Sequence, residues 1–481
     1  MSVVSKAGGH RPPLQPITTL DSDGAKGRQC GETPLDPDSS NPDHPLMNFT
    51  RRDWLKLSGG AALAAALPRS LRAAGAADYS APADVSALVR EAELPMFNLP
   101  GRIKSPVRIE SVEMLRNGSN FFVRTRSTDG ATGLTGTKQV EDFLPIFSHL
   151  VAPHFIGKDA RDLESLIDVA YRENYKLASI PFWCCVAYVE QSLLDLLGRV
   201  AGLPVGELLG GVIKRDIPVY LSGSARELSA EDEVAIYVQG LAETGAKAVK
   251  FKIGGRMSRN LDAYPGRTEK LVTLAREKLG AGTTLMADAN GSYDVANGIR
   301  TGRLLESLEF AFYEEPCPFE ELSETQAVQQ ALRIPVAFGE QNYSLWQFDW
   351  MLRNGVMDIA QPDINYNGGL IRAKRVARIA AKLGKTIVPH NTQTGATSVN
   401  ILQFASCTPN ATPYMEYPWR APQKTPTWYT PDFKITHGKV RVPTTPGMGI
   451  EIDPAYLAAA KVIARIDQPA KGGSTGSGSG G

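Results

Sequence analysis

The stretch "AVKFKIG", residues 248–254, decides the fold. Val249, Phe251 and Ile253 alternate with Lys250 and Lys252, which is the period of a β-strand. Both lysines therefore point to one face of a strand that otherwise reads as buried. A lysine pair can also guard an exposed sheet edge against aggregation. The neighbours of the stretch decide between these readings.

Working outward, short apolar runs recur on both sides. "IPVYLSG" precedes it, and "TLMADAN", "FAFYEEP", "IPVAFGE", "DIAQPDI", "KTIVPHN" and "TPYMEYP" follow. Amphipathic stretches such as "TEKLVTLAREKL" and "LIRAKRVARIAAKL" lie between them. Eight strands joined by crossover helices imply parallel pairing. The most economical arrangement is a closed barrel of the (β/α)8 type, irregular at its first or last unit. A doubly wound open sheet is the alternative.

Each strand from the second onward ends in a polar residue that a core would not choose. After Lys250 and Lys252 come Asp288 with Asn290, then Glu314, Glu340, Asp363, His390 and Glu416. From Asp288 the steps are 26, 26, 23, 27 and 26 residues, one strand–helix unit each. Taken singly, a Glu before Pro is a solvated loop residue and a His near a strand end is structural. In one register on successive strands, they rise around the C-terminal mouth of a parallel barrel, where active sites sit. Asp288, Glu314 and Glu340 cannot crowd together without a cation. They offer hard oxygen ligands and no sulfur or imidazole, which selects Mg²⁺, with Mn²⁺ as a substitute.

The rest of the chain sets the context. Its 481 residues suffice for two domains, and a net charge of +1 argues against nucleic acid as a partner. The five cysteines, Cys30, Cys184, Cys185, Cys317 and Cys407, show no metal-ligand spacing and read as small buried hydrophobes. Residues 1–46 read as disordered or as a misassigned start. Residues 47–77 open with Thr50-Arg51-Arg52-Asp53-Trp54-Leu55-Lys56, which resembles a twin-arginine signal, and Ala74-Gly75-Ala76 suits cleavage. Export by the twin-arginine machinery to the periplasm or beyond is the expectation, with no membrane span in the mature form. A strand, a turn at Asn117-Gly118 and a second strand then open an α+β segment over residues 100–212. The barrel is placed at residues 217–440, and residues 471–481 read as a flexible tail.

"VKFKIG", "MADANG", "YEEP", "AFGE", "QPD…GG" and "VPHN", in this order, resemble the enolase superfamily, mandelate racemase subgroup. "SLLDLLGRVAGLPVGELLGG" resembles the helix and linker of that family's capping domain. The resemblance implies a (β/α)7β-type TIM barrel with an N-terminal α+β capping domain, to which a C-terminal segment, residues 441–465, returns. It implies Asp288, Glu314 and Glu340 as Mg²⁺ ligands, with Glu315 turned to the opposite face. Lys252 would be one base, with its pKa lowered by burial, Lys250 and the metal. Asp363 and His390 would form the other. Lys250 would stabilise the enediolate formed when the proton α to a carboxylate is removed. Asn290 and Glu416 would contact the substrate, Glu416 at its carboxylate.

Two bases on opposite faces permit two outcomes. One is dehydration of a sugar acid to a 2-keto-3-deoxy acid, the reading preferred. The other is racemisation or epimerisation of a 2-hydroxy or sugar acid. A non-catalytic sugar-acid binder is a third reading, opposed by the intact set of ligands and bases. The partner expected is a small-molecule carboxylate, bound by a homo-oligomer.

Overall fold

The computed structural model describes residues 87–138, 141–223, 225–419 and 425–468. The twin-arginine segment, the stretch before it and the Gly/Ser tail lie outside the described residues.

The front domain is built on an antiparallel sheet. Strands β1 (Ile109–Asn117), β2 (Asn120–Ser127) and β3 (Thr132–Thr137) follow one another in it. The two residues of the first turn are Gly118 and Ser119, one position later than the sequence suggests, because Asn117 still pairs with Asn120. Gly118 supplies the left-handed φ of 59° that the turn requires. The fourth strand is Lys461–Asp467, which returns from the C-terminus to pair antiparallel with β1.

Helix α1 (Ile180–Ala201) packs across β2 and β3. It is long and apolar enough to span a bilayer, but it is almost wholly buried within the protein. Its polar residues confirm a core helix, since each has a protein partner. Glu190 accepts the Ile371 N–H at 2.7 Å, Asn400 donates to Gln191 at 2.8 Å, and Asp195 accepts the Met448 N–H at 2.7 Å. Close approach needs Gly133 on β3, where a Cβ would meet Ser192 O at 2.0 Å.

The second part contains the expected strands: β4 (Asp216–Ser222), β5 (Ala248–Lys252), β6 (Thr284–Asp288), β7 (Phe312–Glu314), β8 (Val336–Phe338), β9 (Ile359–Ala360), β10 (Thr386–Ile387) and β11 (Met415–Pro418). Neighbours pair in parallel in the order β10-β9-β8-β7-β6-β5-β4-β11. The remaining gap is crossed by a parallel bridge between Ile387 and Ala411, so the sheet curls back on itself. All five residues of β5 are buried, which excludes the edge-strand reading of its lysines.

The crossover helices start where local chemistry tells them to. Ser229, Asp294 and Ser344 each accept a backbone N–H at the start of α2 (Ala230–Thr244), α3 (Val295–Ser307) and α4 (Leu345–Arg353). Helix α5 (Leu370–Lys382) is different. Its first turn is met by Glu190 from α1, so the front domain caps a barrel helix. Gly369, at φ 113°, makes room, since a Cβ there would fall 2.6 Å from the Glu190 carboxyl carbon.

Candidate active site

Strand register carries the polar residues to one rim. Lys252 pairs with Asp288, and Asp288 pairs with Glu314. Further round, the register matches Ala337 with Glu314, and Ala360 with both Phe338 and Ile387. Glu340 lies three residues beyond Ala337, Asp363 three beyond Ala360, and His390 three beyond Ile387. The ring therefore climbs past the ends of the short strands. All of these side chains, with Lys250, Asn290 and Glu416, are buried.

Asp288, Glu314 and Glu340 each offer a carboxylate oxygen, and these oxygens lie within 4.8 Å of one another. Such a group of anions is held together only by positive charge. Lys250 Nζ sits 2.8 Å from both oxygens of Glu314, 2.8 Å from Glu416 Oε1 and 3.8 Å from Asp288 Oδ2. Lys252 is ion-paired with Asp288 Oδ2. Glu314 also accepts from Gln361 Nε2 at 2.8 Å. Burial and the Asp288 charge raise the Glu314 carboxyl to about 8 in spite of Lys250.

The two lysines differ in depth. Lys250 is 0% exposed, and its ammonium lies 5.6 Å from the centre of the Tyr220 ring. Burial pushes its pKa down, but Glu314 and Glu416 overcome this and hold it well above the ordinary lysine range. Lys252 sits at the mouth. A lowered pKa was expected there, and in this structure it is raised instead. Burial and Lys250 lower it, while Asp288, Glu314 and Glu340 raise it and prevail. With the three carboxylates committed to a divalent cation, only the lowering influences would remain.

At the far end of the cluster stands His390. Its Nδ1 is 2.8 Å from Asp363 Oδ2 and its Nε2 is 3.1 Å from Glu340 Oε2. Burial disfavours the imidazolium, but Glu340 and the Asp363 hydrogen bond raise the pKa to about 9. Asp363 Oδ1 accepts the N–H groups of Asn365 and Tyr366 at 2.8 and 3.1 Å, which fixes the carboxylate.

One residue sits differently from expectation, and two expected at the substrate are already engaged by the protein. Glu315 is not turned away. Its φ of 43° breaks the strand alternation, and Asn290 Nδ2 donates to its Oε2 at 3.2 Å. Burial, Glu340 and Asp288 push its pKa far up. Asn290 is committed to the protein at both ends of its amide. Nδ2 serves Asp288 and Glu315, and Oδ1 accepts from Arg226 at 2.8 Å. Glu416 accepts from Ser222 Oγ at 2.6 Å and from the Asn391 N–H at 2.9 Å, besides Lys250. Burial raises its pKa, but Lys250 and His390 lower it further, so it is an anion with no proton to donate.

Sequence reasoning missed Gln361, Arg226 and Lys138. Gln361 was within reach, being two residues before Asp363 and so on the same strand face. Lys138 was not, because nothing in "GTKQV" marks it. It follows β3, and its Nζ reaches Tyr366 Oη at 3.2 Å and Asp363 Oδ2 at 3.4 Å.

Lys252, Asn290, Glu315, Glu340, His390 and Glu416, with Lys138 from the front domain, line one cavity of about 1570 Å³ between the barrel mouth and the front domain. Two family models match the chain. "Enolase C-terminal domain-like" covers residues 233–456, and "Mandelate racemase / muconate lactonizing enzyme, N-terminal domain" covers residues 92–210.

The chain belongs to the enolase superfamily, mandelate racemase subgroup.

Its relatives in the superfamily include an arabinonate dehydratase of Saccharolobus solfataricus, 27% identical over 63% of this chain and 79% of that one. A D-galactarolactone cycloisomerase of Agrobacterium fabrum is 30% identical over 62% and 79%. A mandelate racemase/muconate lactonizing protein from Paracoccus denitrificans, solved with magnesium, superposes with a TM-score of 0.69 at 27% identity. That match covers 75% of this chain and 100% of the solved one. The barrel and the enzymatic nature of this superfamily member follow.

Proposed function

We propose that this enzyme dehydrates a sugar acid to a 2-keto-3-deoxy acid in a Mg²⁺-dependent reaction. One observation carries the reading. The Asp288–Glu314–Glu340 cluster meets Lys252 at its Asp288 end and His390 at its Glu340 end. A carboxylate substrate held at the cluster would lie between two proton carriers of different kinds. The donor set fits the metal: three buried carboxylates, oxygen only, with one oxygen of each within 4.8 Å of the others. When bound there, the cation supplies Lewis-acid stabilisation of negative charge on the substrate carboxylate.

The chain's own residues do the rest. Lys252, as the neutral amine, takes the α-proton, and the electron pair moves into the carboxylate to form an enediolate. Lys250 stays cationic and opposes the second negative charge that develops there. Glu416 acts as counter-charge to Lys250; donating to a substrate carboxylate would require it to carry a proton. His390, as imidazolium supported by Asp363, protonates the departing β-hydroxyl, which leaves as water when the C–O bond breaks. The resulting enol becomes the keto acid.

The sugar-acid class is supported by relatives named for arabinonate, galactonate and mannonate. The same two carriers could instead epimerise the α-carbon. Incubating the Mg²⁺-loaded enzyme with these three acids separates the readings by NMR. A 2-keto-3-deoxy product supports dehydration, whereas an inverted α-carbon with no keto acid overturns it. We also propose export by the twin-arginine route, supported by Thr50–Lys56 and the small-residue site at Ala74-Gly75-Ala76.

A further inference from the structure

We propose that the substrate is a glycosylated sugar acid, an aldonate carrying a second sugar ring on its O4 or a later oxygen, and that Trp428 holds that ring. The inference rests on the sugar-acid reading above and names the part of the substrate that lies away from the carboxylate cluster.

Size is the first observation. The cavity holds about 1570 Å³. Roughly 300–1,000 Å³ suffices for a drug-sized ligand, and a single aldonate is smaller than such a ligand. Alone, it would leave most of the space to water.

The second observation is a fixed aromatic wall. The chain beyond β11 brings Trp419, Trp428 and Tyr429 to the cavity. Tyr456 stacks on the Trp428 indole, with centroids 4.8 Å apart and planes 14° apart. Phe122 and Tyr429 meet the indole edge-on at 5.7 and 4.7 Å. The backbone is held as well, since the Asp453 N–H donates to Trp428 O at 2.8 Å and Tyr429 pairs with Ile452. A ring supported in this way is pre-ordered, yet Trp428 is only half-buried and lines the cavity. Tyr429 ties the wall to the chemistry. Its hydroxyl packs against Gly395, where a Cβ would fall 2.9 Å from it, and Gly395 lies on the loop that follows His390.

Aromatic rings alone would suit an aryl group as well as a sugar. Two buried polar atoms decide for the sugar. Trp419 Nε1 and Gln393 Oε1 belong to residues that line the cavity, and neither has a hydrogen-bond partner among the described residues. Buried groups of both kinds ordinarily find partners. One is a donor and the other an acceptor, and a hydroxyl can answer either. A pyranose presents an apolar C–H face to an indole and hydroxyls at its edge. Linkage through O4 or a later oxygen leaves the α-hydrogen and the β-hydroxyl free. The α-proton passes to Lys252, the β C–O bond breaks, and water leaves with the proton from His390. The glycosidic bond stays intact.

The experiment compares D-gluconate, D-galactonate and D-mannonate, each free and with a 4-O-linked hexose, on the Mg²⁺-loaded enzyme. For at least one of the three, wild type should turn over the glycosylated form with a kcat/KM about tenfold or more above that of the free acid, the size of one aromatic stacking contact. Trp428→Leu keeps apolar bulk against Tyr456 and removes the flat face. It should raise KM for the glycosylated acid by a similar factor and erase the preference, with kcat much less affected. Trp428→Tyr should restore most of it. A smaller advantage in wild type, or a preference for the free acids, would overturn the proposal, and this comparison needs no variant. A preference that survives in Trp428→Leu, shown to be folded by its melting temperature, would overturn it too. Wild type that turns over neither form of any acid, and exchanges none of their α-hydrogens with D₂O, would instead overturn the sugar-acid reading itself.

Discussion

The barrel rim and the front-domain face opposite it are built on opposite terms. Eight of the rim's buried ionisable groups, Lys250, Lys252, Asp288, Glu314, Glu340, Asp363, His390 and Glu416, are each answered by another charge. The front-domain face brings Ser119, Asn120, Thr137 and Lys138 to the same cavity, mostly small and neutral. A dense charge array can stabilise a dianionic intermediate but responds to any carboxylate. That wall carries one cation, Lys138, which is paired with Asp363, and otherwise offers small neutral groups to a ligand. On the proposed function, the charged rim serves the chemistry, and the front-domain face is the part of the cavity that differs from it in charge density.

The comparison breaks first at the rim if it is wrong. Asp288→Asn leaves the cation short of a ligand, and several kcal/mol of charge stabilisation go with it. Turnover should fall by about 10³-fold or more while the fold persists, as read by kinetics and circular dichroism. Glu314→Gln should abolish Mg²⁺ binding in titration calorimetry. Glu315→Gln, which keeps the size of the side chain and an oxygen for Asn290 Nδ2, should weaken it by less than about tenfold, the lower range for residues that orient a ligand. Equal damage from the two would mean that the wrong glutamate has been assigned to the metal.

The same contrast explains what was legible in the sequence. The barrel could be read because one polar residue recurs once per strand–helix unit from Asp288 to Glu416. The lysine pair could be read because β-strand alternation puts both side chains on one face. Glu315 was misplaced because alternation ends with the strand, and its left-handed φ turns the side chain back. The Lys252 pKa of the metal-free protein could not be read from the strand, because it depends on burial and on four neighbouring charges, Asp288, Lys250, Glu314 and Glu340. Lys138 left no trace because its partners, Asp363 and Tyr366, are more than two hundred residues away.

A smaller effect sharpens the electrostatic half of the comparison. His390 titrates near 9 in the folded metal-free protein, above its ordinary 6.5. A raised imidazole stabilises the fold fully below its unfolded pKa, and that contribution is lost as pH rises through the folded one. Glu314, raised to about 8, sheds its proton in the same interval and adds to the loss. The metal-free protein should therefore melt several degrees lower at pH 9 than at pH 6.5, by calorimetry. His390→Asn should show a shallower decline. A wild-type melting temperature that rises over this interval would contradict the assignment.

The smallest expected effect on the site comes from the leader. Arg51→Lys with Arg52→Lys should retain the precursor in the cytoplasm, seen by fractionation, and leave turnover of the purified enzyme unchanged. Export of that double variant at the wild-type level would remove the twin-arginine reading without touching the rim.

The central claim is that Lys252 and His390 act on one substrate from the two ends of the carboxylate cluster. Exchange of the substrate α-hydrogen with D₂O, followed by proton NMR in Lys252→Ala and His390→Asn, tests it most directly. For a substrate whose α-proton faces Lys252, His390→Asn should retain exchange while losing overall turnover by about 10²–10⁴-fold, and Lys252→Ala should lose both. Loss of exchange in both variants with metal still bound, or its retention in both, would contradict the account.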